Sequence, residues 1–194
     1  MLRIVGGRHR GRAIAAPEGQ ATRPTSSRAR ESLFNILAHA RWRADGTSPL
    51  VEARVLDAFA GTGALGIEAL SRGAAHATFL DNDAGVVKLI GENLRKLGET
   101  ANARVVRADA TRPPPSREAC DLVFLDPPYR SGLAAPALAA LAAAGWVAPG
   151  AVVTVELAHN EDLVPPAGFT AIDERRYGAA RLVILRRGPA GAPP

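Results

Sequence analysis

At 194 residues and 20.2 kDa, with 47% hydrophobic and 22% charged residues, the chain is sized for one domain and too apolar to be disordered. Its longest alanine-rich run, the 15 residues 133–147, is too short to span a bilayer, the first eight residues lack a secretory signal, and the single Cys120 cannot form an internal disulfide, so a reducing cytoplasm without membrane contact is expected. The charge is uneven: residues 1–43 hold nine arginines against two acids, a net +7, while the remainder has 15 basic residues against 17 acids, a net −2, and a basic N-terminal arm of this kind suits an extended phosphate-bearing partner such as nucleic acid.

In chain order, residues 2–5 and 12–15 read as short strands around Gly6-Gly7 and Gly11, which together make a basic β-hairpin. Pro24 then precedes Thr25, Ser26 and Ser27, candidate caps for a helix whose apolar face is Leu33, Phe34, Ile36 and Leu37. From residue 54 onward, strand and helix alternate. Residues 54–60 form a buried strand, 64–72 a helix stopped by Gly73, 77–81 a second strand, and 84–97 a helix with Gly98 placed to cap it. Strands follow at 104–107 and 122–125, then a helix at 133–144, a strand at 151–157, and a closing pair at 169–176 and 181–186 around Tyr177-Gly178. Such a run of βα units predicts a doubly wound, mostly parallel α/β sheet, in which ligands meet the carboxyl ends of the strands. Three segments are expected: a hairpin extension over 1–22, the main domain over 23–187, and a fraying tail over 188–194.

Functional side chains should therefore follow strands. Gly61-Thr62-Gly63-Ala64-Leu65-Gly66 follows the first of them and opens a helix, so it meets the structural context that G-x-G-x-x-G demands. Such a loop serves a pyrophosphate or an amino-acid carboxylate equally well. Asp57 separates the two, because a carboxylate beside the loop repels a pyrophosphate but accepts hydrogen bonds from an ammonium such as that of S-adenosylmethionine. Asp81 ends the second strand, where an acid holds ribose hydroxyls. Asp109, two residues past the third, is placed either to meet an adenine amino group or to cap a helix.

Asp126-Pro127-Pro128-Tyr129 follows the fourth strand of this series. It combines an acceptor carboxylate, a turn held rigid by two prolines, and an aromatic face. An exocyclic amine is a poor nucleophile because its lone pair is delocalised into the ring. Acceptors such as the Asp126 carboxylate and the Pro127 carbonyl favour the pyramidal geometry that frees the pair, while Tyr129 stacks on the base. No His/Cys cluster has ligand spacing, so no metal is expected. His9, His39, His76 and His159 read as surface or helix-end residues, and Cys120 as a small buried hydrophobe.

The segment from Asp57 to Ala74, together with Arg23-Pro24-Thr25, Arg28, the run Arg30-Glu31-Ser32-Leu33-Phe34-Asn35 and the D-P-P-Y turn, resembles the bacterial 16S rRNA guanine-N2 methyltransferase family of RsmD type, which acts on guanine 966. That resemblance implies a class I, Rossmann-like methyltransferase fold with a seven-stranded sheet and S-adenosylmethionine as methyl donor. The cofactor would be held by Asp57, Phe59, Gly61, Thr62, Gly63, Asp81, Asn82, Asp109 and Ala110. Asp126, Pro127, Pro128 and Tyr129 would be catalytic. Arg3, Arg8, Arg10, Arg12, Arg23, Thr25, Arg28 and Arg30 would grip 16S rRNA in the small subunit or its assembly intermediate, with the protein acting as a monomer. Ser27, Asp81 and Ala179 depart from the family's usual residues. D-P-P-Y is shared by enzymes acting on DNA adenine and on protein glutamine, so those substrates stay open, as does a non-catalytic RNA-binding assembly protein. A nicotinamide-dependent oxidoreductase fits the glycine loop and Asp81 but leaves Asp57, D-P-P-Y and the basic arm unexplained.

Overall fold

Apolar alternation from residue 54 onward becomes a seven-stranded sheet in the computed structural model, which describes residues 2–16, 27–43, 45–178 and 180–189. The elements in chain order are β1 (Leu2–Arg3), β2 (Ala13–Ile14), α1 (Ser27–His39), β3 (Arg54–Ala58), α2 (Ala64–Ser71), β4 (His76–Asp81), α3 (Ala84–Leu97), β5 (Ala103–Arg107), β6 (Cys120–Leu125), α4 (Ala134–Ala143), β7 (Val147–Ala158), β8 (Phe169–Tyr177) and β9 (Ala180–Arg187). Sheet order is β5-β4-β3-β6-β7-β9-β8, with the first five strands parallel and β9 antiparallel to both its neighbours. The order reverses between β3 and β6, so a crevice opens at the carboxyl ends of those two strands. Arg23, Thr25 and Ala179 lie outside the described residues.

Side-chain alternation along the strands divides the core into two layers. Val55, Phe79, Leu122 and Phe124 face one layer with α1, α2 and α3, whereas Leu56, Leu80, Val123 and Leu125 face the other with α4. Helix α3 carries its local signals on its surface. The Asp83 side chain accepts from the backbone N–H of Gly85 and Val86 at its start, and Gly98 ends it in the left-handed region at φ 77°. Close packing of α2 on β4 depends on Gly66, because a Cβ there would lie 2.4 Å from the Phe79 ring.

Strands β1 and β2 pair antiparallel as the hairpin pattern predicts, although each is two residues long instead of four. The hairpin is seated on the body. Leu2, Ile4 and Ile14 are buried in the first core layer, so residues 1–22 are no separate cluster where they are described. Val5 N–H donates to Glu68 Oε2 at 2.9 Å, and the Asn93 amide clamps Ala15 by donating to its carbonyl and accepting from its N–H. Gly7 sits at φ 74° against α2, where a Cβ would lie 1.9 Å from the Ser71 carbonyl oxygen.

Two boundaries differ from the pattern for local reasons. Strand β3 stops at Ala58 because Phe59 turns to φ 59° and leaves the sheet. Strand β7 begins at Val147, ahead of Pro149-Gly150, since an irregularity between Cys120 and Leu122 lets Val147 pair with Cys120 before the regular ladder starts at Val152. Cys120 is buried at the start of β6, and burial pushes its thiol up to about 12, which suits a packing residue and not a nucleophile.

Candidate active site

A cavity of about 710 Å³ lies at the topological switch, within the range of small-molecule sites. Its floor comes from Asp57 in β3, Phe59 and Ala60 beyond that strand, and Gly61 and Thr62. Asp81, Asn82 and Asp83 enter from the end of β4. Opposite stand the four residues of the D-P-P-Y turn, together with Leu133 and with Glu156 of β7, while Leu2 and Arg30 close the remaining side. The glycine loop and the D-P-P-Y turn, about 65 residues apart in sequence, thus share one hollow.

The loop's geometry explains its residue types. Gly61 and Gly63 take positive φ, 52° and 73°, and Phe59 is held in the same left-handed region at 59°. A non-glycine residue in that conformation is strained, and such strain concentrates at ligand sites. Asp81 braces the loop: its Oδ2 accepts from Gly61 N–H at 2.9 Å and its Oδ1 from Asp83 N–H at 3.0 Å. Asp57 is 1% exposed and its Oδ2 accepts from Gly66 N–H at 2.8 Å. Burial pushes its carboxyl up to about 7, the Gly66 hydrogen bond working against that and the Asp81 charge adding to it.

At the facing turn, Asp126 N–H donates to the Ala58 carbonyl at 3.5 Å, which extends the β3–β6 pairing to the motif. The Tyr129 hydroxyl donates to Glu156 Oε1 at 2.7 Å, and Arg130, at φ 58°, donates its N–H to Glu161 at 2.8 Å. The start of the turn is therefore tied to β3, and its end to β7 and the segment after it. Asp109 lies in a small adjoining hollow with Ala110, Leu80, Phe59, Asp81 and Asn82. Its carboxylate accepts from the Thr111 hydroxyl and N–H at 2.7 and 2.8 Å, and these bonds with Arg112 hold it below the usual carboxylate range against slight burial. It forms an Asx turn and not the helix cap weighed for it from the sequence, since no helix follows over residues 110–119.

Charge sorts the possible ligands. Among the described residues five carboxylates line the main cavity, those of Asp57, Asp81, Asp83, Asp126 and Glu156, against one guanidinium, that of Arg30. Such a lining repels a dinucleotide pyrophosphate and suits a cationic ligand. S-adenosylmethionine, with its sulfonium and ammonium charges, fits this donor set, and the strained glycine loop leaves open space at Gly61, where a Cβ would meet nothing nearer than the Phe59 carbonyl at 3.9 Å.

The N-terminal arginines fall into two groups. Arg10 and Arg28 are exposed, and Arg3 is exposed while donating to the Gly11 carbonyl at 2.8 Å. Arg8 and Arg12 are exposed as well but carry bonds to the body: Arg8 makes a two-bond fork with Glu99 at 2.8 Å each, and Arg12 donates to the Lys96 and Leu97 carbonyls at the end of α3. His9 also reaches Glu99 and is largely buried, not a surface residue as expected. Burial opposes ionisation of Glu99, but hydrogen bonds from Asn102, His9 and Arg8 outweigh it and hold the carboxyl below the usual range. Arg30 is 1% exposed and sits inside, with Nε 3.7 Å from Glu68 and one amino group donating to the Arg3 carbonyl at 2.6 Å. Arg8, Arg12 and Arg30 therefore dock the hairpin onto the body. Glu156 and Leu2 were missed from the sequence. A lone acid in the apolar run V-V-T-V-E-L-A, near a strand's carboxyl end, was the available signal for Glu156.

The model of a family described as conserved hypothetical protein 95 matches residues 2–186. The ribosomal RNA small subunit methyltransferase D of Escherichia coli K12 is 38% identical over 193 residues, covering 98% of this chain and 92% of that protein. Its Haemophilus influenzae counterpart is 35% identical over 182 residues, covering 91% and 89%. Among solved structures, the yhhF protein of Escherichia coli superposes with a TM-score of 0.80 at 37% identity, covering 97% of this chain and 98% of that one. A hypothetical protein of Thermus thermophilus gives 0.73 at 33% identity, covering 95% and 98%. The architecture is the class I, Rossmann-like methyltransferase fold.

Proposed function

The chain belongs to the conserved hypothetical protein 95 family and is an rRNA methyltransferase by that descent, and we propose that it uses S-adenosylmethionine to methylate the exocyclic N2 of a guanine in 16S rRNA of the small ribosomal subunit, the guanine 966 type of reaction. The observation that carries this reading is the meeting of a carboxylate-rich glycine-loop cavity with the D-P-P-Y turn in one hollow. When bound, S-adenosylmethionine supplies a methyl group on a sulfonium, so that one N–C bond forms as the S–C bond breaks and a neutral thioether leaves.

The protein's own groups do the rest. Asp57 and the loop around Gly61 and Gly63 hold the amino-acid end, Asp81 accepts from the ribose hydroxyls, and Phe59, Asn82 and Ala110 with Asp109 border the adenine side. Asp126 and the Pro127 carbonyl accept the two hydrogens of the target amine and keep its lone pair out of conjugation. Pro128 stiffens the turn, and Tyr129 stacks on the extruded base. Once nitrogen has gained the methyl group it carries a surplus proton, and the Asp126 carboxylate is placed to take it and release it to water. Arg3, Arg10 and Arg28, exposed at the basic end, supply phosphate contacts outside the pocket, and Arg23 with Thr25 belongs to the same arm.

Labelled S-adenosylmethionine incubated with small-subunit particles from a strain lacking the gene tests this. Mass-spectrometric mapping should place the methyl on a guanine amine, and Asp126→Ala should slow transfer at least about a hundredfold, the scale for one preorganised polar group, while leaving cofactor affinity nearly unchanged. Label on a protein glutamine or on DNA adenine, with none on rRNA, would exclude the reading.

A further inference from the structure

The D-P-P-Y turn explains how an amine is held, and not which molecule carries it. Any exocyclic amine offers two hydrogens to Asp126 and the Pro127 carbonyl. What differs is the neighbouring atom. In guanine the carbon bearing the amine is bonded to N1–H, a donor. In adenine and cytosine the equivalent ring nitrogen is a bare acceptor, and in a glutamine amide the neighbour is an acceptor oxygen. A second carboxylate beside the first therefore attracts guanine and repels the other three.

The fold puts one there. Val155 of β7 pairs in parallel register with Leu125, the last residue of β6, so Glu156 and Asp126 each follow a paired residue at the carboxyl end of neighbouring strands. Both line the cavity. The Tyr129 hydroxyl donates to Glu156 Oε1 at 2.7 Å, so the residue whose ring stacks on the base also fixes the plane of this carboxylate. A carboxylate has about four lone-pair sites, enough to keep Tyr129 and accept one more N–H. We infer that Glu156 selects guanine, by accepting N1–H of the target base while its exocyclic amine lies at Asp126. This rests on the guanine-N2 reading above and deepens it. No bond is made or broken at Glu156; its action is on which base is accepted.

The decisive probe is 2-aminopurine, which keeps the 2-amine of guanine but has a bare N1. Small-subunit particles are reconstituted with guanine, 2-aminopurine or adenine at the accepted position. Wild-type kcat/KM should favour guanine over 2-aminopurine about a hundredfold or more, as expected of a site built around a substrate N–H. Glu156→Gln, whose amide can donate to a bare N1, should bring that ratio below about tenfold through loss on guanine and gain on 2-aminopurine. Particle affinities measured with the thioether product of the cofactor present should shift in the same sense, while any change in cofactor binding by the variant is common to all three bases and cancels in the ratio. Tyr129→Phe keeps the carboxylate but removes the hydroxyl that fixes its plane, so its ratio should fall part of the way from wild type toward that of Glu156→Gln.

A wild-type enzyme that accepts both bases equally overturns the inference without any variant. So does a Glu156→Gln ratio equal to wild type, and so does an equal loss on both bases, which would leave Glu156 with no task beyond placing Tyr129. If wild type instead methylates no guanine particle while modifying adenine, the guanine-N2 reading itself falls, and the two failures are told apart.

Discussion

Asp57 carries opposite demands in the free and bound protein. Its carboxyl, raised from 3.8 to about 7 by burial, is partly protonated at neutral pH, whereas holding a cationic ligand requires the charged form. Cofactor affinity should therefore rise as pH goes from about 6 to about 8, as calorimetry at the two values would show. Stability runs the other way. Between 3.8 and about 7 the folded state keeps a proton that the unfolded chain has released, so stabilisation linked to this group is full below the unfolded value and lost as pH rises through the folded one. Asp57→Asn should accordingly melt above wild type near pH 8, with the difference shrinking near pH 5, and should lose most cofactor affinity near pH 8 but much less near pH 5, where the wild-type carboxyl is itself protonated. Failure of the two melting curves to converge at low pH would place the strain elsewhere. Motif-borne residues such as Asp57, Gly61, Asp81 and Asp126 were legible in the sequence because strand-end position alone brings them to the crevice. Arg30 was not, since its placement depends on which way α1 turns its charged side, and nothing local to Arg28-Ala29-Arg30 decides that.

Between elements, the buried group of Arg30, Glu68 and Arg72 is the clearest joint. Glu68 is fully buried in α2, takes Arg72 Nε at 2.7 Å and Val5 N–H at 2.9 Å, and lies 3.7 Å from Arg30 of α1. Arg72 also lies over the Phe34 ring at 5.3 Å, so one carboxylate joins α1, α2 and the hairpin. Deleting one member of a buried charge cluster leaves the others uncompensated. Glu68→Ala should cost on the order of 3–5 kcal/mol, read as a large drop in melting temperature; a loss under about 1 kcal/mol would mean the arginines find water instead. Elements whose limits rest on neighbouring residues were read from the sequence to the residue, as α3 was with Gly98 at its end. Those whose limits rest on a partner strand were not: β7 gains four residues from Cys120, and the hairpin strands shorten because Glu68 and Asn93 take over the backbone groups of Val5 and Ala15.

For the whole molecule, the charge asymmetry and the fold have to be read together. A net +7 over residues 1–43 marks the hairpin end of the chain as the basic one. Leu2 lines the candidate cofactor site, and Leu2, Ile4 and Ile14 are core, so removal of the hairpin should weaken cofactor binding along with stability. Truncation is thus a poor test of RNA contact. Single arginines are better, because the docking and exposed groups differ in what they should change. Removing one arginine–phosphate interaction should lower the slope of log affinity against log salt by about one. Arg10→Ala with Arg28→Ala, both exposed, should flatten particle binding by about two and leave melting temperature within a degree or two of wild type, since surface changes away from packed features shift stability little. Arg8→Ala should do the reverse, because its fork with Glu99 is a joint between the hairpin and the residue after α3. Measured over a salt series, equal slopes for wild type and the Arg10/Arg28 variant would reduce those two arginines to solubilising charge and move the rRNA grip to the arm around Arg23 and Thr25.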